Sequence, residues 1–341
     1  TMKVLILGGT GKISSPLTRM LLDRGDDVTL VNRGHRPNPF GHRVRVITAD
    51  RSDIPAFEAT VREAGTFDVV VDMIGFHPEE VEATTRTLTG RCGQYVFCST
   101  VDVYQRPSPT YPYREGDARR ALSRYGQDKI ACEQVLERAH ADGAFMVTLL
   151  RPAHTYDDTG FIHHALGRST SFLDRIRRGK PVIVHGDGQS LWVAAKADDV
   201  ATGFVGAIGN ARAYGRSYNL AGEEWLTWDA YHRLVADVLG APPPELVHIP
   251  TDILVRIAPR AGATCAANFC FPNIHDVTAA RRDLGYRYTV PVRRGFASVV
   301  AHLDTHGAIA DADAEPWYDT IIDAWRTTSD DLVLRLAALN A

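Results

Sequence analysis

The chain has 341 residues, 45% of them hydrophobic, 23% charged and 9% aromatic, a balance that sets aside disorder, collagen-like repeats and fibrous arrays. With 38 basic residues against 41 acidic ones, the formal charge is -3 and there is no basic tail, which argues against a protein built to grip a phosphate backbone. Five scattered cysteines with no Cys-x-x-Cys pair exclude a disulfide framework or a zinc ribbon, and no apolar run reaches the ~18 residues of a membrane span. No secretion signal is read at the N-terminus, so the expectation is a cytoplasmic protein with reduced thiols and no membrane partner.

Over the first 150 residues, apolar runs alternate with helix-length intervals. Strands are expected at Lys3–Leu7, Asp27–Val31, Val44–Ile47, Phe67–Val71, Gln94–Cys98 and Phe145–Leu150. This is the pattern of an α/β protein with a doubly wound parallel sheet. Beyond Pro152 the alternation weakens. Helices are predicted over Phe172–Arg178, Trp228–Leu239 and Thr251–Ile257, and Val182–Val184 and Ser217–Leu220 are strand-like runs able to extend the sheet. The reading is a sheet domain over 1–155 with returning pieces near 181–222, interleaved with a smaller lobe over 156–341.

Gly8-Gly9-Thr10-Gly11-Lys12-Ile13-Ser14 follows the first strand and opens a helix predicted over Pro16–Arg24. Small residues here permit a tight turn and close approach of backbone to a pyrophosphate, and the helix N-terminus faces the anion. Gly8, Thr10, Gly11, Lys12 and Ile13 are therefore candidates to cradle a dinucleotide, with Ser14 where a third glycine is usual. The second strand ends Val31-Asn32-Arg33. A carboxylate at that point would hold a ribose 2′-hydroxyl and repel a 2′-phosphate; Asn32 removes the repulsion and Arg33 supplies a cation, so NADP is favoured over NAD. A solvated loop charge is the alternative for Arg33. Asp50 and Arg51, past the third strand, are placed to meet an adenine edge.

Tyr125 and Lys129 stand four apart in a predicted helix and so share a face. An ammonium beside a phenol favours the phenolate, which draws its pKa towards the working range of a general base. Cys98-Ser99-Thr100-Val101-Asp102-Val103-Tyr104 lies at the carboxyl end of the fifth strand, where an open parallel sheet meets its ligand.

Glycine loop, strand-end hydroxyl and Tyr-x-x-x-Lys, in this order, resemble the short-chain dehydrogenase/reductase superfamily in its extended form, over nearly the whole chain. Residues 31–34, 68–74 and 91–95 look most like the NAD-dependent epimerase/dehydratase group, which also contains chloroplast stem-loop-binding proteins. The resemblance implies a Rossmann-type domain and a catalytic hydroxyl four residues before Tyr104, which is Thr100 and not Ser99. It implies that Tyr125 takes a proton from a substrate hydroxyl while hydride leaves the same carbon. Lys129 holds the nicotinamide ribose and Thr100 steadies the oxygen. Ile74 and His154 lie against the cofactor, and His154 and the His163-His164 pair are candidates for substrate contact, hydrogen-bonded loop histidines being the alternative.

Within that resemblance, Asp102 fills the acidic position of a dehydratase one methylene short, and Val101 stands where a second acid is common. Epimerisation is expected ahead of dehydration, with NADPH-dependent ketone reduction as a further alternative. Trp192 and Lys196 occupy places where the family often holds a substrate diphosphate with arginine and histidine. Lys196, Arg175, Arg177 and Arg178 remain for that task. The substrate expected is a sugar, nucleotide-linked or a free polyol, and the expected assembly is a homodimer. An RNA-binding protein on the same fold is the alternative from another class; the acidic balance and the intact catalytic set oppose it, and no nucleic-acid partner is expected. A cofactor sensor without chemistry is opposed by the Tyr/Lys pair. Thirteen histidines without a carboxylate cluster predict no metal site.

Overall fold

The computed structural model describes residues 1–160 and 162–340. The first half runs β1 (Lys3–Leu7), α1 (Ser14–Arg24), β2 (Asp27–Asn32), β3 (Arg45–Thr48), α2 (Ile54–Ala64), β4 (Phe67–Asp72), α3 (Pro78–Leu88), β5 (Cys92–Cys98), α4 (Arg124–Ala141) and β6 (Met146–Pro152). There follow β7 (Thr155–Tyr156), α5 (Ser171–Arg177), β8 (Val182–His185), β9 (Leu191–Trp192), β10 (Ala195–Lys196), α6 (Ala197–Ala207), β11 (Arg216–Leu220) and β12 (Leu226–Thr227). The last elements are α7 (Trp228–Leu239), β13 (Leu246–Ile249), α8 (Thr251–Ile257), α9 (Thr278–Leu284), α10 (Val292–Thr305) and α11 (Pro316–Leu336).

The chain divides into two units. The first holds 1–157, 193–223 and 274–290, and the second 158–192, 224–273 and 291–341. In the first unit seven strands lie parallel in the order β11-β6-β5-β4-β1-β2-β3. The unbroken apolar runs are buried on both faces because successive side chains point to opposite sides. Val4, Ile6, Val69 and Val71 pack with Leu17, Leu21, Phe204 and Leu284 on one face. Leu5, Leu7, Val70 and Phe97 pack with Phe57, Val61, Val81 and Leu136 on the other. The strand order reverses between β1 and β4, and a crevice at that switch point is where open α/β sheets bind ligands.

One expectation about the later chain is corrected. Val182–His185 does not extend the main sheet; as β8 it pairs with β13 inside the second unit, where Ile183, Val247 and Ile249 pack on Leu254, Tyr318 and Ile322. Its apolar side chains find a local partner in the α8 and α11 core. The run containing Ser217–Leu220 does join the main sheet, as edge strand β11 beside β6. A third piece, 274–290, returns to the first unit, and Asp199 fastens it by accepting from Thr289 N at 2.7 Å, Thr289 Oγ1 at 2.6 Å and Val290 N at 2.9 Å.

The second unit has an aromatic core. Trp192, Trp228, Tyr231 and Phe269 pack edge to face or tilted with ring centroids 4.9 to 6.0 Å apart, and His163, His185 and His232 lie among them. Burial lowers His185 and His232 to about 4, against backbone hydrogen bonds that pull the other way. An unfolded histidine near 6.5 takes up its proton first, so the unfolded state binds more protons between about pH 6.5 and 4 and stability falls as pH falls through that window. Urea unfolding at pH 7 and pH 5 is expected to show a loss of about 2 kcal/mol for each such histidine. Equal stabilities at the two pH values would contradict these buried neutral rings.

Candidate active site

The glycine loop is held by side chains on both of its flanks. Asn32 Oδ1 accepts from Gly9 N at 2.9 Å, while Ser14 Oγ accepts from Gly11 N at 2.7 Å and donates to Gly8 O at 2.6 Å. Ser14 thus closes the turn that a third glycine would leave open. Gly8 has φ +87°, and a Cβ there would lie 2.4 Å from Ile74 Cγ2, so only glycine fits between the loop and the end of β4. A Cβ at Gly11 would touch little besides Ser14 Oγ at 3.1 Å, yet Gly11 lines two adjoining cavities, so that Cβ would fill the cleft. Loop, small residues and helix N-terminus together fit a dinucleotide pyrophosphate.

The first cavity, about 230 Å³, is lined by Gly8, Thr10, Gly11, Asn32 and Ile74 on one side and by Arg33, His35 and Arg36 on the other. Arg36 Nη1 bonds Thr10 O at 3.1 Å, which holds the turn after β2 against the glycine loop. Asp50 is nearby. Its carboxyl lies below the ordinary value, first because Ser52 donates to it and then because Arg33 and His35 stand close. The cation assigned to the adenine edge beside it is corrected. The Arg51 guanidinium is buried, binds Asp72 through two bonds of 2.6 and 2.8 Å and bonds Thr84 Oγ1 at 2.9 Å. Its role is to fix the end of β4, because an unpaired Asp72 carboxylate in that core would be costly.

The second cavity, about 390 Å³, opens at the carboxyl ends of β4, β5 and β6 and is lined by Lys12, Ile13, Phe76, Cys98, Thr100 and Tyr125 among others. Thr100 has extended backbone and its Oγ1 accepts from Asp102 N at 3.2 Å, capping a short turn over Val101–Val103. Tyr125 lines the same cavity, close enough to Thr100 for that hydroxyl to act on the phenol. Lys129 is buried, its Nζ 2.6 Å from Cys98 O and 4.7 and 5.8 Å from the ring centroids of Phe97 and Tyr125. The structure therefore brings Thr100 and Tyr125 to one pocket, with Lys129 buried just behind its wall on the carbonyl of the lining residue Cys98. It corrects the expected electrostatics: although Tyr125 keeps 43% exposure, loss of water around the phenol raises it above its ordinary value instead of lowering it, with Cys98 and Asp102 acting the same way and Thr100 opposing. Burial likewise lowers Lys129, which weakens its pull on the phenol.

Behind these groups lies a buried ionic network. Glu133, one helical turn beyond Lys129, accepts from Arg151 Nε and Nη2 at 2.8 Å each, from Ser99 Oγ at 2.6 Å and from Arg119 Nη1 at 2.6 Å. Arg151 also reaches Tyr104 Oη at 3.1 Å, which donates to Asn219 Oδ1 at 2.5 Å. Ser99 is thus turned into the core while Thr100 faces the pocket.

Other expected site residues lie elsewhere. Asp102 pairs with Arg106 at 3.0 Å, so the acid of a dehydratase site is here neutralised by a buried guanidinium. Trp192 is in the aromatic core of the second unit, and His163 and His164 are buried in the same unit, His164 bonded to Tyr318 at 2.8 Å. Arg175, Arg177 and Arg178 bind Asp319, Asp304 and Asp313, so these arginines neutralise carboxylates of their own unit. Lys196 is half-buried and precedes α6, and His154 accepts from Ala195 N at 2.9 Å through its carbonyl while Ala153 and Thr155 line the pocket. Reading from sequence missed Arg36 and His35, although three basic residues within four positions after β2 were a visible signal. It also missed Glu133, which sits one turn past the lysine in an otherwise ordinary helix.

A family model for the NAD dependent epimerase/dehydratase family matches residues 4–221. The chain is 30% identical over 259 residues to the chloroplast stem-loop binding protein of 41 kDa b of Arabidopsis thaliana, across 72% of this chain and 65% of that protein, just under two thirds of its length. It is 28% identical over 242 residues to the 2′-dehydrokanamycin reductase of Streptomyces kanamyceticus, across 71% of this chain and 68% of that one. Among solved structures, UDP-glucose 4-epimerase from Thermotoga maritima has the same fold, with a TM-score of 0.69 at 20% identity over 89% of this chain and 99% of the other.

Two outcomes check the geometry. Glu133→Gln leaves the Arg151 charge buried without its partner and is expected to cost about 3–5 kcal/mol in urea unfolding; a neutral change would show the network to be dispensable. In the protein without dinucleotide, the tyrosinate absorbance difference between the unaltered chain and Tyr125→Phe is expected to stay flat up to pH 10, and an ionisation below pH 9 would contradict the raised phenol.

Proposed function

Because the chain belongs to the NAD dependent epimerase/dehydratase family, we propose that it transfers hydride between NADP(H) and a hydroxyl-bearing carbon of a sugar or sugar-like polyol. The observation that carries this reading is the convergence of Thr100 and Tyr125 on the pocket that the glycine loop opens, with Lys129 directly behind them on Cys98 O. Gly8, Thr10, Gly11 and Ile13 would hold the pyrophosphate, Arg33 and Arg36 a ribose 2′-phosphate, Asp50 the adenine edge and Lys129 the nicotinamide ribose. Bound there, the nicotinamide supplies or accepts the hydride.

Tyr125 handles the proton at the substrate oxygen, giving it as a carbonyl becomes a hydroxyl or taking it in the reverse direction, and Thr100 orients that oxygen with a hydrogen bond. The basic turn after β2 supports a 2′-phosphorylated cofactor. The absence of the family's arginine clamp, with Trp192 in the core, and the relative named as a 2′-dehydrokanamycin reductase both support a substrate without a diphosphate. Epimerisation, with hydride returned to the opposite face of the same carbon, is the second reading, supported by the fold shared with a UDP-glucose 4-epimerase. Dehydration has less support because Asp102 is paired with Arg106. RNA binding rests on the stem-loop-binding relative alone, against a net charge of -3.

The experiment denatures the freshly purified protein, identifies any nicotinamide released, and then follows NADPH and NADH oxidation against ketosugars. A protein that purifies without cofactor and oxidises NADPH supports the reductase; tightly retained dinucleotide with sugar isomerisation would move the reading to epimerase. Tyr125→Phe is expected to lower turnover by about 10²–10⁴-fold with cofactor affinity intact. Arg33→Ser is expected to lower kcat/KM for NADPH by about 10–100-fold, the value of one charged hydrogen bond, and to leave NADH use unchanged. Equal losses for both cofactors would remove the 2′-phosphate assignment.

A further inference from the structure

The Lys129 ammonium lies behind the cavity wall with little to balance its charge. It donates to Cys98 O at 2.6 Å, and among the described residues no carboxylate pairs with it. Asp72, the carboxylate that acts on it through space, is already taken by two bonds from Arg51 and one of 2.5 Å from Tyr95 Oη. What surrounds the ammonium is aromatic. The ring centroids of Phe97, Phe76 and Tyr125 lie 4.7, 5.0 and 5.8 Å from Nζ, within the ~6 Å over which a ring face attracts a cation.

The three rings differ in what else they do. Phe97 is wholly buried in the sheet core, and Tyr125 carries the reacting hydroxyl. Phe76, in the loop between β4 and α3, keeps 45% exposure and lines the cavity. Its place is fixed from two sides. Gly75 lets the loop lie against the sheet, since a Cβ there would stand 2.6 Å from Phe97 Cε2 and 2.9 Å from Asp72 Oδ2. His77 Nδ1 lies 3.4 Å from Asp128 Oδ2, which ties the loop to α4 next to the lysine. A ring left half in water does not serve to fill the core, and the group it covers is the ammonium.

We propose that Phe76 is a positioning residue for the proton transfer, its ring face holding the Lys129 ammonium charged in the dry space behind the cavity so that the charge acts on Tyr125. This rests on the roles of Tyr125 and Lys129 given above. Loss of water works against the ammonium; Cys98 of β5, Asp72 of β4 and Cys132 of α4 favour it, and Arg51 opposes it. The two thiols are weak partners because burial keeps them protonated, and Asp72 is already engaged, so the ring quadrupoles are the remaining support. The choice of a ring has a chemical reason. A carboxylate at this point would hold the ammonium but repel a phenolate forming on Tyr125 and carry its own desolvation cost. A phenyl ring stabilises the ammonium, adds no negative charge and cannot take its proton.

The test follows the five lysines of the full chain, carbon-13 labelled at Cε, by NMR titration without dinucleotide, with Lys129→Met identifying the Lys129 signal. In the unaltered protein Lys129 is expected to be charged at pH 7. Phe76→Leu keeps an apolar side chain without a ring and is expected to lower the Lys129 midpoint by about one unit, whereas Phe76→Tyr keeps both ring and midpoint. Because Phe76 is half exposed, thermal melting is expected to be unchanged in both. A Lys129 already neutral at pH 7, a midpoint unmoved or raised in Phe76→Leu, or equal shifts in the two variants would overturn the proposal. In alcohol oxidation with NADP, which needs the Tyr125 proton removed, the rise of kcat/KM with pH is expected to move to higher pH in Phe76→Leu and to return in Phe76→Tyr. A rise that stays in place while the Lys129 midpoint falls would overturn the action on Tyr125. The expected NMR shifts in a chain inactive on every alcohol and ketone would uphold the hold of Phe76 on Lys129 and overturn only the hydride-transfer reading.

Discussion

The buried pairing of Glu133 with Arg151 is the constraint on which the candidate site depends. Burial alone would raise the Glu133 carboxyl, but the hydrogen bonds and charge of Arg151, with Ser99 and Arg119, more than offset it and keep it below its ordinary value. A carboxylate at the end of α4's buried turn and a guanidinium at the end of β6 can meet only at one rotation of the helix. That rotation places Lys129 one turn earlier at the end of β5, and Tyr125 one turn before that over the pocket. Ser99, bonded to the same carboxylate, points inward, so its neighbour Thr100 points outward. One ion pair therefore sets the direction of the hydroxyl, the phenol and the ammonium together.

The glycine loop is organised on the same principle, a buried polar contact fixing an exposed group. Asn32 and Ser14 take the N–H groups of Gly9 and Gly11 and hold the turn in one shape, and Arg51 with Asp72 fixes the end of β4 that supplies Ile74. Residues with the look of ligands are in several cases the supports of ligands. Charged side chains inside a parallel sheet must be paired, and the strand ends where ligands bind are where such pairs can be accommodated.

Electrostatics of the pocket are those of a desolvated site. Lys129, buried behind the pocket wall, and Tyr125, which keeps 43% exposure, are both displaced towards their neutral forms, the ammonium downward and the phenol upward, first because each loses part of its hydration. In the free protein the Tyr125 phenol consequently keeps its proton.

Fold class and the position of the glycine loop were legible in the sequence because both depend on local order. Continuous apolar strands at helix-length spacing can be buried only in a covered parallel sheet, and Gly8 to Ser14 follows its strand directly. Tyr125 and Lys129 were legible for the same reason, since helical spacing alone puts them on one face. The partners of charged groups were not. Arg51 is joined to Asp72 from another strand, Asp102 to Arg106 by the path of a loop, and Trp192 to Trp228 and Phe269 by the packing of a unit assembled from three separated stretches. Val182–His185 was legible as a strand but not as a strand of the second unit, because an apolar run is equally at home in either core. The sequence by itself determined which segments are buried and which short motifs can bind or react, since these follow from periodicity and backbone geometry. Only the tertiary structure decided which charges remain to meet a ligand, because an ionic group's fate is set by the neighbour it meets in space.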